Sequence, residues 1–147
     1  MGAIVAPFRR RTGGGAAWRV WYHHGWGRGA PVTKGLIEFH RAASMTGDFD
    51  ALWMGHNHCC YVHKERQYRA SSRLGDAKLQ TRPQWYIRSG AFNADDDVTQ
   101  FDGDGNYMGD YAIEGGMAPH GKGGVFMTVQ VSLRGPDVQL SAEAVIP

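Results

Sequence analysis

Two short runs of strand-like sequence each break abruptly into glycine and histidine, and together they restrict this chain more than any other feature. Ala17–Tyr22 (Ala-Trp-Arg-Val-Trp-Tyr) is aromatic and β-branched and runs into His23-His24-Gly25-Trp26-Gly27. Asp50–Met54 is a second apolar run, stopped by Gly55 immediately before His56-Asn57-His58. Between them, Leu36, Ile37, Phe39 and His40 recur near helical spacing, which predicts a helix over about 34–45 with Thr33 as its N-cap and Thr46-Gly47-Asp48 as its stop. Strand, loop, helix, strand, loop is the order of a βαβ unit. Its right-handed crossover places two parallel strands with their C-terminal ends at one edge of a sheet. Ligands of open α/β folds bind at that edge. Four of the seven histidines of the chain would meet there.

The flanking sequence fills in the rest. Met1–Ala16 holds Arg9-Arg10-Arg11 and Gly13-Gly14-Gly15, and is expected to be an irregular lead-in to a single domain over 17–147. Cys60–Lys64 and Gln84–Arg88 read as further strands, separated by an arginine-rich polar stretch carrying Arg66, Arg69 and Arg73. Asp95-Asp96-Asp97 and Asp102–Asn106 suit solvated turns, and Tyr107–Glu114 suits one or two helical turns. Gly124–Leu133 and Val138–Val145 predict a closing hairpin through Arg134-Gly135-Pro136-Asp137. With 147 residues, 42% of them hydrophobic and 20% charged, the chain can bury a genuine core. Its net charge of +2 does not by itself call for a polyanionic partner.

The two cysteines, Cys59 and Cys60, are adjacent, where a disulfide would be strained. Reduced thiols fit a cytoplasmic compartment, and no apolar run approaches the ~20 residues of a membrane span. A His58-Cys59-Cys60 zinc cluster lacks the spaced pairs that structural zinc sites use; one cysteine packed as a small hydrophobe is the simpler expectation. Asp102–Glu114 begins like a calcium loop, but Tyr107 and Ile113 stand where glycine and glutamate belong. His40 is expected in helix packing, His63 on a strand surface and His120 in a glycine-rich loop. Imidazole is a common transition-metal ligand, yet His23-His24 alone reads more readily as a capped strand end with one satisfied histidine, and Gly55-His56-Asn57-His58 reverses that preference. Arg28, Lys34 and the other cations could grip phosphate and Trp26 could stack on a base, set against the commoner reading of a solvated charged face.

With those segments in order, the chain resembles the C-terminal half of a calcineurin-like metallophosphoesterase of the phage and prophage type. Gly55-His56-Asn57-His58 after a strand matches the family's last metal motif, His23-His24-Gly25 the motif before it, and Ser89-Gly90-Ala91-Phe92 and Tyr111–Gly123 resemble later segments. The resemblance implies an α/β fold forming part of an αββα sandwich, with a mixed sheet and few helices. It implies a divalent metal cofactor (Mn, Zn or Fe, dinuclear in the family) held by His23, His56 and His58. It also implies His24 and Asn57 as catalytic residues, and Arg28 and Trp26 on the substrate. In the family, two ions about 3.5–4 Å apart clamp a phosphate and activate a hydroxide for in-line attack. The family's aspartate-bearing N-terminal motifs have no counterpart here. The expectation is therefore a truncated member or one part of a split enzyme, acting on phosphoesters or nucleic acid. A homo-oligomer, or a partner chain that supplies the missing half, is then expected. The alternative is a non-catalytic interaction module.

Overall fold

In the computed structural model, which describes residues 1–9, 15–27, 33, 35–56, 60–70, 79–90, 103–105, 123–134 and 137–145, the main sheet grows outward from its shortest strand. That strand, β3 (Ala51–Met54), is the apolar tetrapeptide Ala-Leu-Trp-Met. Ala51, Leu52 and Met54 are fully buried, as a central strand covered on both faces requires. Parallel neighbours flank it: β2 (Gly15–His23) on one side, in register from Val20↔Ala51 to His23↔Met54, and β5 (Leu79–Arg88) on the other, from Ala51↔Trp85 to Met54↔Arg88. Two antiparallel strands complete the order β1-β2-β3-β5-β4: β1 (Gly2–Arg9) against β2 and β4 (Tyr61–Ala70) against β5.

β1 corrects the expected irregular lead-in. Gly2–Arg9 pairs along its whole length, from Gly2↔Tyr22 to Arg9↔Gly15. Its Ala6 and Phe8 pack onto the core, so burial on one face outweighs the disorder that the arginine and glycine runs suggest. β4 likewise runs through Arg66 and Arg69, expected to lie in a polar stretch after it, because β5 offers each of its residues a ladder partner; Arg73 lies outside the described residues.

The crossover is α1 (Leu36–Thr46), with Phe39, Ala42 and Thr46 buried. Thr33 is not its cap. The Thr33 carbonyl accepts the Leu36 N–H at 2.8 Å, and Gly35, in a left-handed conformation (φ 81, ψ 13), occupies the cap position with no side-chain bond. The two faces of the sheet carry separate cores, as strand alternation demands. Phe39, Ala42, Phe49, Leu52, Met54 and Tyr86 lie on the helix side. Trp18, Ala51, Trp85, Ile87 and Val125 lie on the other. Each fully buried aliphatic or aromatic side chain contributes roughly 1.5–3 kcal/mol. The second face is covered by a hairpin of β6 (Phe126–Arg134) and β7 (Asp137–Val145), joined in register down to Arg134↔Asp137, through Met127 and Val129. The fold is mixed α/β, as expected, its main sheet has five strands among the described residues, and the closing hairpin lies where the turn residues predict it. No helix among the described residues is long and apolar enough to cross a membrane.

One buried carboxylate fixes the register of the parallel strands. Asp50, at the start of β3, accepts the Arg19 N–H at 2.8 Å and Arg82 Nη2 at 2.7 Å. Its own backbone bonds the Arg19 carbonyl and the Trp85 N–H, both at 2.9 Å. β2, β3 and β5 are thus clamped at their N-terminal ends.

Candidate functional site

The opposite ends of the same three strands carry the histidines. The registers place His23, Met54 and Arg88 side by side as the last residues of β2, β3 and β5. The ladder persists one step beyond, through Gly55 N–H to the His24 carbonyl (3.1 Å) and Ser89 N–H to the Met54 carbonyl (3.0 Å). The loops then turn away with their backbones in contact. Gly25 is buried at φ 100, and a Cβ there would lie 2.8 Å from the Gly55 carbonyl oxygen, so no other residue fits.

That close approach brings two exposed imidazoles together. His24 Nε2 and His56 Nδ1 are 3.1 Å apart, with ring centroids 5.0 Å apart and planes at 76°. His56 adopts φ 76, left-handed backbone that costs a side-chain-bearing residue roughly 1–2 kcal/mol. Strain of this kind persists where a side chain is held in a particular direction, and it collects at functional sites.

The imidazole beside His56 is therefore that of His24, the residue expected to line the site. His23, expected as the ligand, uses Nδ1 to accept the Gly25 N–H at 2.8 Å, and its ring meets Trp26 edge-on at 5.2 Å. In the neutral ring that bond puts the proton on Nε2. Trp26, expected on the substrate, is half-buried and packs against the helix-side core. Asn57, His58 and Arg28 lie outside the described residues, as do Cys59, His120 and the 107–114 segment. Cys60 packs against the hairpin-side core, and its thiol donates to the Gly124 carbonyl at 3.2 Å.

Two charged residues behind the imidazoles escaped the sequence reasoning. Arg88 is fully buried. Its Nη1 donates to the Gly55 carbonyl (3.5 Å) and its Nη2 to the Gly35 carbonyl (3.3 Å), while the guanidinium lies 5.0 Å from the Phe39 ring. It ties the loop after β3 to the start of α1. Glu38, in the first turn of α1, sits against both glycine loops: a Cβ at Gly27 would be 3.1 Å from its Oε1, and one at Gly35 would be 3.2 Å from its Oε2. Glu38 Oε2 is buried without a hydrogen-bond partner. The signal for Arg88 was a charge closing the apolar run Trp85-Tyr86-Ile87. Glu38 had no signal beyond its place in a helical first turn.

A separate cleft of about 340 Å³ opens between α1 and the β4–β5 pair, lined by His40, Phe49, Glu65, Gln84 and Tyr86 among others. His40, expected in helix packing, is exposed and shares Glu65 Oε1 with His63, at 2.9 and 3.1 Å. Burial, with the Glu65 charge adding to it, pushes the Tyr86 hydroxyl up to about 12.

Among the described residues, no group of three or more histidine, cysteine, aspartate and glutamate side chains is arranged to hold a metal ion. The His24–His56 pair supplies two donors. Two ligands at the usual ~2.0–2.1 Å from a tetrahedral ion stand about 3.3 Å apart, close to the observed nitrogen separation. No family model, curated protein or solved structure matches the chain.

Proposed function

We propose that the His24–His56 pair is the nucleus of a divalent-cation site serving phosphoester hydrolysis, the activity implied by the family resemblance. The observation that supports it is the 3.1 Å approach of two exposed imidazole nitrogens, held by a strained His56 at the C-terminal edge of parallel strands. His24 and His56 would hold the ion, and His58, two residues on, is the next donor in sequence. Bound Mn, Zn or Fe would polarise a phosphoryl oxygen and lower the pKa of a coordinated water. The chain's own groups do the remaining work. His23 is fixed with Nε2–H free to donate to a substrate oxygen, Trp26 holds His23 in place, and Arg88 sets the distance between the two loops. Asn57 and Arg28 keep the catalytic and substrate roles the resemblance implies. Phosphodiesters, nucleic acid among them, are the substrate class.

Two donors give weak retention of an ion, so the second reading is a binding module without turnover, or one part of an assembly in which a partner chain adds carboxylates. Metal analysis of the purified protein and hydrolysis of an aryl phosphodiester with Mn²⁺ separate these. The proposed site predicts saturable Mn²⁺ uptake and turnover, both lost in His24→Ala and His56→Ala. Metal retained without turnover favours the binding module. Metal uptake unchanged in both variants overturns the site itself. Because imidazole must be deprotonated to ligate, uptake falls as pH is lowered.

A further inference from the structure

The chain's small net charge conceals an uneven distribution. The nineteen residues 64–82 hold six lysines and arginines against Glu65 and Asp76, a net of +4, whereas the whole chain carries +2. The rest of the protein is therefore net negative. Of this stretch the structure describes 64–70 and 79–82. β3 pairs with β5 only from Trp85 onward, so among the described residues Leu79–Pro83 has β4 as its one strand neighbour, and 66–70 with 79–83 forms a two-stranded ribbon running past the end of the sheet. Cross-strand partners share a face, which puts Lys64, Arg66 and Tyr68 in line on one side of it. All three are exposed, Tyr68 to 73%. Lys64 rests its ammonium 4.8 Å above the Trp85 ring. Among the described residues, Glu65 bonds the two histidines, and Asp50 pairs with Arg82 and so takes that one cation out of the exposed charge.

A row of two cations and an open aromatic ring on a paired ribbon is the chemistry that grips a single-stranded nucleic acid, phosphates on the cations and a base stacked on the ring. We propose that this face of the β4–β5 ribbon binds single-stranded nucleic acid. Thr81, opposite Tyr68, is seven residues from Arg88 along β5, which at the ordinary strand rise is about 23 Å. The ribbon is thus a docking surface apart from the imidazole pair, and its binding does not depend on how that pair is read.

Fluorescence anisotropy with a dye-labelled oligothymidylate and with a duplex, both in EDTA, tests this without any contribution from a bound cation. The expected result is binding that weakens steeply between about 50 and 200 mM salt and favours the single strand. Lys64→Ala/Arg66→Ala should flatten the slope of log K against log salt by about 1.4, and Tyr68→Ala should lower affinity about ten-fold. Arg66→Lys should keep the slope, and Arg41→Ala, on exposed α1, should change nothing. Arg66, Tyr68 and Arg41 are exposed, so their variants should melt at the wild-type value, whereas Lys64→Ala also gives up its contact with the Trp85 ring and should melt slightly lower. Salt-independent binding, no binding, or an equal loss in the Arg41 variant would overturn the proposal. Equal affinity for duplex would overturn the stacking role of Tyr68.

Discussion

The two ends of the three parallel strands treat polar groups in opposite ways. At the N-terminal end every strong donor and acceptor of the clamp is spent: Asp50 binds Arg82 and the Arg19 amide while its backbone ties β2 to β5. At the C-terminal end two imidazoles face solvent, His56 is strained, and Glu38 Oε2 is buried without a partner. A fold of 5–15 kcal/mol net stability can carry such costs at one end only when the other end is well tied. The comparison teaches that rigidity and chemistry are divided along the strands rather than mixed.

Breaking the clamp should have the largest effect. Asp50→Ala leaves a guanidinium and an amide unpaired and should lower unfolding free energy by about 3 kcal/mol. That lies at the low end for a broken buried pair because the Arg82 side chain is 34% exposed. Chemical denaturation measures it, and a loss below about 1 kcal/mol would mean that the clamp is ornamental. The middle of the sheet can be probed by titration. Tyr86 is neutral when folded up to about 12, against the ordinary phenol value of 10.0. Between those pH values the unfolded chain gives up a proton that the folded chain keeps, so stability falls as pH rises, by roughly 2–3 kcal/mol in all. Tyr86→Phe should lose that alkaline component. The smallest effect belongs to the open end. His56→Gly relieves left-handed strain and should raise stability by about 0.5–1 kcal/mol while abolishing metal uptake. A destabilised His56→Gly would show that the imidazole is held for packing instead.

What was legible in the sequence was whatever local pattern carries. Trp18–Tyr22, Leu52–Met54 and the 126–145 hairpin announce themselves by apolar runs between glycines, and the crossover between histidine segments follows from their order. β1 was hidden because its partner is set by pairing, and Arg9–Arg11 with Gly13–Gly15 masked an apolar run of Ala3–Val5 and Phe8. The cap at Gly35 was hidden because a left-handed glycine has no side-chain signature and Thr33 does. Of the site, the meeting of the two histidine segments could be inferred, whereas the choice of His24 over His23 beside His56 could not. It depends on which ring the Gly25 amide captures, a matter of rotamer and loop geometry. Arg88, Glu38 and the Asp50–Arg82 pair depend on contacts between residues far apart in sequence, which no local window contains.

The brevity of β3 gives it the character of a ruler. Only five residues separate the carboxylate of Asp50 from His56, and four of them form the buried strand, so the chain has almost no slack between anchor and imidazole. Adding or deleting one residue there would turn His56 to the opposite face, away from His24, while the hydrophobic pattern around it also inverted. A lineage carrying this arrangement could lengthen its outer loops freely, yet would be held to one spacing along that strand.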